Sequence, residues 1–343
     1  MYPINSHSVL SERITGIRQQ IRRDRPLVGE VTQQMSSKMM FYILKRVLLA
    51  VATIWIVITV TFFIMHAVPG NPFAGEKALT AEAQAALEAK YGLDKPLFEQ
   101  YTTYLKDILT RFDFGPSMTL RGRLVIDVIM DGMKTSAKLG LIAACSAAVL
   151  GITLGAVAAL LRNSWLDKVI MVITTAFVSM PSFIMGSFLL LVFSVKLGLV
   201  PANGTTAEGL ILPVITLMLY PMAYITRLTR SSMLDVLGQD YIRTARAKGV
   251  PGMKVIFGHA LKNSLIPVIT YFGPMLAFIV TGSMVVENIF AVPGIGKQFV
   301  SAITNRDYTM ILGTTIFLAS LIVIMNLVSD LLYKAVDPRI EFD

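Results

Sequence analysis

The chain has 343 residues, 54% hydrophobic and only 15% charged, with a net charge of +9 and a mean hydropathy of +0.64. An ordinary soluble domain is about 25% charged, so polar surface is too scarce here for a soluble globule, a disordered chain or a disulfide-stapled secreted fold. Long apolar runs, rather than alternating segments of about ten residues, exclude a membrane barrel and leave an all-α integral membrane protein.

In chain order, residues 1–39 form a polar, basic extension with Arg18, Arg22, Arg23 and Arg25 close together. It reads as a solvated tail able to lie on anionic headgroups, and Met39 or Met40 is an alternative start. The first apolar run begins near residue 41, is too long for a signal-peptide core and lacks a small-residue cleavage site. Residues 40–68 are the first transmembrane helix, within the uncharged run Val47–Gly75.

Residues 69–135 read as an external helical cap. Thr80 can cap a helix over Ala81–Tyr91, with Glu82 in its first turn and Gly92 as a left-handed stop. Leu97, Phe98, Tyr101, Tyr104, Leu105 and Ile108 give a second helical pattern over Leu97–Thr110. Such a cap either contacts a partner that delivers substrate or is a lid packed on the spans.

Residues 136–334 hold five more uncharged runs. They are Leu139–Leu161, Val169–Val195 broken by Pro181, Gly209–Thr226 with Pro213 and Pro221, Asn263–Val286 with Pro267 and Pro274, and Tyr308–Ser329. Six transmembrane helices result, because backbone polar groups in lipid must be satisfied within the helix. Residues 335–343 are a short tail. The basic segments before Val47 and over 227–262 belong inside and the sparsely basic short loops outside, so both termini are expected in the cytoplasm.

The loop 227–262 is the most informative. Asp240 can cap a short basic helix that Gly249 ends, running Asp240-Tyr241-Ile242-Arg243-Thr-Ala245-Arg-Ala247-Lys248-Gly249. Bulky Tyr241 and Ile242 would anchor it in a groove on a cytoplasmic partner, and small Ala245 and Ala247 would permit close approach. A solvated amphipathic turn is the blander alternative.

Other chemistry is not signalled. Cys145 is the sole cysteine, and His7, His66 and His259 lack metal-ligand spacing, so neither a disulfide nor a metal site is expected. Gly294-Ile-Gly296-Lys297 fails as a phosphate loop, since Ala291 stands where a glycine is needed and Gln298 replaces Ser/Thr. No catalytic motif and no paired intramembrane carboxylates appear, and His66 is the one ionisable group in the uncharged runs. A conduit with neither an ion-coupling site nor an ATP site must draw energy from another subunit.

Asp240–Gly249, continuing through His259-Ala-Leu261 and Asn263-Ser-Leu-Ile-Pro267, resembles the "EAA" loop of bacterial ABC importer permeases, in the oligopeptide/dipeptide branch. Tyr42-Ile-Leu-Lys-Arg46, His66-Ala-Val-Pro-Gly-Asn-Pro72, Tyr91-Gly-Leu-Asp-Lys-Pro96, Met180-Pro-Ser-Phe, Arg227-Leu-Thr-Arg-Ser-Ser-Met233, Glu287-Asn-Ile-Phe, Pro293-Gly-Ile-Gly296, Arg306-Asp-Tyr308 and Asp337-Pro-Arg339 agree with that branch. The resemblance covers about residues 40–340. It departs from the loop consensus where Thr244-Ala245-Arg246 replaces Glu-Ala-Ala, and in the long basic N-terminus.

The resemblance implies a type I ABC importer transmembrane fold. It implies pairing with a second homologous permease subunit, two cytoplasmic ABC ATPase subunits that bind ATP and magnesium, and an extracytoplasmic peptide-binding protein. This chain would itself carry no cofactor and no catalytic residue, and it would contact membrane lipid but no nucleic acid. Tyr241–Gly249 would be the coupling helix, with Ala245 and Ala247 facing the ATPase groove. Pro181, Pro213 and Pro221 are candidates for the substrate path, because proline frees backbone carbonyls, although each also reads as a plain kink. The same fold carrying a nickel chelate, glutathione or an oligosaccharide is the alternative, and a self-sufficient secondary carrier a more distant one.

Overall fold

The computed structural model describes residues 44–69, 73 and 80–336. The basic extension, residues 70–72 of the motif that begins at His66, and residues 337–339 lie outside the described residues. The described residues are helical, apart from turns, short irregular connections and one isolated bridge between Pro116 and Leu124. In chain order the helices are α1 (Leu44–Ala67), α2 (Ala81–Tyr91), α3 (Leu97–Arg111), α4 (Val125–Leu160), α5 (Trp165–Ser179), α6 (Ser182–Lys196) and α7 (Glu208–Leu237). Then come α8 (Asp240–Ala247), α9 (Gly252–Ser264), α10 (Ile266–Val280), α11 (Met284–Ile289), α12 (Ile295–Thr304) and α13 (Tyr308–Val336).

Helices α1, α4, α7 and α13 are each long and apolar enough to cross a membrane. The pairs α5–α6 and α9–α10 are bent by 106° and 48°, and six spans result when each pair counts as one. Pro181 makes the first break. It cannot donate a backbone hydrogen bond, and it holds Met180 in an extended conformation at ψ 123°. The second break falls at Leu265, just before Pro267.

The chain divides into two units, Met1–Thr53 with Phe342–Asp343, and Ile54–Glu341. The described part of the first is the start of α1, where Thr53 donates its hydroxyl to the Leu49 carbonyl at 2.8 Å.

Within the second unit, α4 lies along α7, and small side chains set how closely they approach. Ala143, Ala144, Ala147, Gly151, Gly155 and Ala158 form the buried stripe of α4. A Cβ on Gly155 would stand 2.6 Å from the Thr226 carbonyl oxygen, so only glycine fits that crossing. Helix α10 closes on the same stripe through Val268, Met275 and Ile279. Helix α4 begins at Val125, well before the uncharged run at Leu139. Its outer turns carry Asp127, Asp131, Lys134 and Lys138 on one exposed face while Val125, Val128 and Ile129 stay buried.

The cap segment forms as its capping chemistry dictates. The Thr80 hydroxyl accepts from the Ala83 amide at 3.3 Å, and Gly92 ends α2 in the left-handed region at φ 69°. Helix α3 buries Tyr101 and Ile108 against Ile58, Phe62 and Met65 of α1 and Val125 and Ile129 of α4. Asp307 closes this region. It accepts from the hydroxyl of Ser117, the hydroxyl and amide of Thr119, and the amide of Met310. Burial pushes the Asp307 carboxyl up, but these donors outweigh it and hold it below the ordinary aspartate value.

Candidate functional site

Helix α8 hangs between α7 and α9, and its ends follow from the sequence. Gln239, extended at ψ 150°, is the N-cap but its side chain makes no capping bond and donates instead to the Asp235 carbonyl at 3.4 Å. Asp240, expected as the cap, is instead the first helical residue. There its carboxylate favours the helix dipole and lies 3.5 Å from Arg243. At the other end Gly249 sits at φ 76°. Its amide donates to Arg246 at 3.0 Å, and the Val250 amide donates to Ala245 at 3.2 Å. This is the paired C-terminal closure that a left-handed glycine allows.

The two faces of α8 differ from the expectation. Ile242 is 0% exposed and packs with Val255 and Ala260 of α9, joined by Val236, Leu237, Ala245 and Val250. Ile242 therefore anchors the helix to its own chain and is not available to a partner, and Ala245 also turns inward. The face left open carries Tyr241, Arg243, Thr244, Ala247 and Lys248. Tyr241 is half held, because its hydroxyl accepts from the Asn263 side-chain amide at 3.0 Å. The outcome is a small, basic, rigidly seated helix with a mostly polar outer face.

One contact beside this loop escaped sequence reasoning. Arg230, two turns before the end of α7, donates from Nε and Nη2 to the two carboxylate oxygens of Asp167, at 2.6 and 2.8 Å. Asp167 also accepts from the Asn163 amide at 3.0 Å and is 3% exposed. This bidentate pair ties the start of α5 to the helix that carries α8. Asp167 and Arg230 stand just beyond the uncharged runs, and single residues 63 apart in sequence give no pairing signal.

The three prolines part company. Pro213 and Pro221 are buried within α7's packing, so neither opens onto a passage in this chain. Pro181 is exposed at the α5–α6 break. His66 is bonded to the Phe62 carbonyl at 2.8 Å and to Gln100 at 3.2 Å, which fixes it against the cap. Among the described residues no group of three or more His, Cys, Asp or Glu side chains could hold a metal ion.

Residues 39–121 match the family described as the N-terminal part of binding-protein-dependent transport system membrane components. Residues 151–342 match the family described as binding-protein-dependent transport system inner membrane component. The oligopeptide transport system permease protein OppB of Haemophilus influenzae is 44% identical over 307 residues, 89% of this chain and 100% of that protein. The dipeptide transport system permease protein DppB of Bacillus subtilis is 46% identical over 301 residues, covering 88% and 97%. A solved structure of the MetNI methionine ABC transporter, in inward-facing conformations, aligns over 62% of this chain and 97% of its own, with a TM-score of 0.50 and 17% identity. That likeness shows the shared helical fold of ABC transporter permeases. With one family match spanning more than half of its length and relatives above 40% identity nearly end to end, the chain belongs to the binding-protein-dependent transport system inner membrane components.

Proposed function

We propose that this chain is a non-catalytic permease subunit of an ATP-driven importer that moves oligopeptides or dipeptides across the cytoplasmic membrane by alternating access. Helix α8 carries the reading. It is a basic two-turn helix, seated on its own chain by Ile242 and presenting Tyr241, Arg243, Ala247, Lys248 and the free turn at Gly249 to a partner. The names of the relatives supply the cargo.

In this reading both termini are cytoplasmic, and α8 presses into one of two ABC ATPases, which hold the ATP and magnesium. A second homologous permease completes the pore, and an extracytoplasmic peptide-binding protein delivers the cargo. ATP shifts the complex toward its outward-facing state only by binding that state more tightly, and hydrolysis removes the bias. Because α8 is packed against α9 through Ile242 and α7 is tied to α5 through Arg230, a displacement of α8 moves spanning helices rather than a loose loop.

The test is uptake of a labelled tripeptide by vesicles holding the whole complex. Uptake is expected to require the ATPases and ATP. Gly249→Val is expected to abolish it while leaving the chain inserted, since a β-branched residue at φ 76° costs about 1–2 kcal/mol and unmakes the closure of α8. Normal uptake in that variant would overturn the role of α8.

A further inference from the structure

Helix α7 has one outward stripe. Beyond Ile211 in its first turn, the exposed residues of α7 as far as Leu237 are Tyr220, Tyr224, Arg227, Ser231 and Asp235, spaced by three or four and so on one helix face. None is aliphatic. The outward face of α4, by contrast, carries Leu141, Ile142, Val149 and Leu150. A lipid-facing surface looks like the second and not the first, since polar groups in hydrocarbon are costly without partners.

Tyr220 and Tyr224 lie in the second half of the uncharged run Gly209–Thr226, with Arg227 one turn beyond Tyr224. Tyr271, on α10, meets Tyr224. Its ring lies 4.3 Å from that of Tyr224, centroid to centroid. The structure gives none of the three hydroxyls a hydrogen-bond partner in this chain. Three unpartnered phenols beside a face that carries no aliphatic side chain point to water.

Resting on the peptide-import reading above, we propose that Tyr220, Tyr224 and Tyr271 line the aqueous passage and grip the peptide main chain in transit. A phenol hydroxyl both donates and accepts, so it suits the alternating N–H and C=O groups that every peptide shares. No charged group stands at that depth on either helix, and Arg227 comes only with the next turn of α7. The grip is therefore indifferent to the charge of cargo side chains, while the ring faces offer apolar contact of no fixed register.

The experiment uses the whole complex with Cys145→Ser, since Cys145 is exposed. Tyr220→Cys, Tyr224→Cys and Tyr271→Cys are each treated with a membrane-impermeant sulfonated thiosulfonate, with Val149→Cys on the aliphatic face of α4 as the reference. A thiol ionises and reacts only where water reaches it, so labelling at least about tenfold faster than at position 149 is expected in one nucleotide state, slowed by excess trialanine. In parallel, Tyr224→Phe is expected to raise the KM for trialanine uptake about fivefold, the worth of one hydrogen bond. Cysteines as inert as that at position 149 in every nucleotide state overturn the passage, even if the parent imports trialanine. Fast labelling that trialanine does not slow, with an unchanged KM in Tyr224→Phe, overturns the grip. A parent complex that imports no peptide defeats the underlying reading, and the cargo assigned to these tyrosines falls with it.

Discussion

Glu287 is 0% exposed, yet it carries a carboxyl group that works as a staple. The Ser136 hydroxyl donates to it at 2.6 Å and the Lys297 amide at 3.1 Å, while Ser136 itself accepts from the Ile295 amide at 2.9 Å. The loop around Pro293–Gly296, which looked in the sequence like a failed phosphate cradle, is thereby fastened to α4. Burial pushes the Glu287 carboxyl above its ordinary value of 4.5, and the donors offset this only in part. The folded chain therefore holds this proton more tightly than the unfolded one. The site's contribution to stability is whole below pH 4.5 and is lost as pH rises through the elevated folded value. The thermal midpoint of the purified protein should fall across that window. In Glu287→Gln, which cannot titrate, that slope should disappear, and a slope unchanged by the substitution would contradict the assignment.

At the scale of elements, the Asp167–Arg230 pair is a bidentate tie between α5 and α7. Arg230→Ala leaves a carboxylate that is 3% exposed without its cation, a loss of about 3–5 kcal/mol for a buried pair broken on one side. Asp167→Asn combined with Arg230→Met removes both charges and should recover most of that stability. Thermal unfolding of the three proteins checks it, and an Arg230→Ala variant as stable as the parent would show the pair to be idle. No pattern in the sequence announces this pair, because pairing across helices depends on their packing. What was legible is local. Thr80, Gly92 and Gly249 do what capping chemistry says, since each acts on backbone groups within a few residues. The start of α4 was not legible from uncharged runs, because Asp127, Asp131, Lys134 and Lys138 interrupt the run while sharing one exposed face. Ile242 was misassigned for a related reason. An amphipathic two-turn helix reveals that it has an apolar face, but not whether that face meets a partner or its own chain.

For the molecule as a whole, the remaining question of function is which way the conduit points, and the distribution of charge supports the proposed orientation. The 227–262 segment holds seven Lys and Arg residues, while the short segment between α6 and α7 and the α10–α13 segment hold few. Basic residues beside spanning helices are retained in the cytoplasm, which supports the proposed orientation with α8 inside and the cap built from α2 and α3 outside. The opposite orientation would carry that basic segment across the membrane and set α8 where no ATP is available to a motor. In a Cys145→Ser chain assembled in intact cells, a cysteine replacing exposed Thr102 on α3 should react with an impermeant thiol reagent at once. One replacing Arg243, on the open face of α8, should react only after the membrane is breached. The reverse pattern would invert the topology and leave α8 without a motor to engage, because a coupling helix has meaning only on the side where nucleotide is spent.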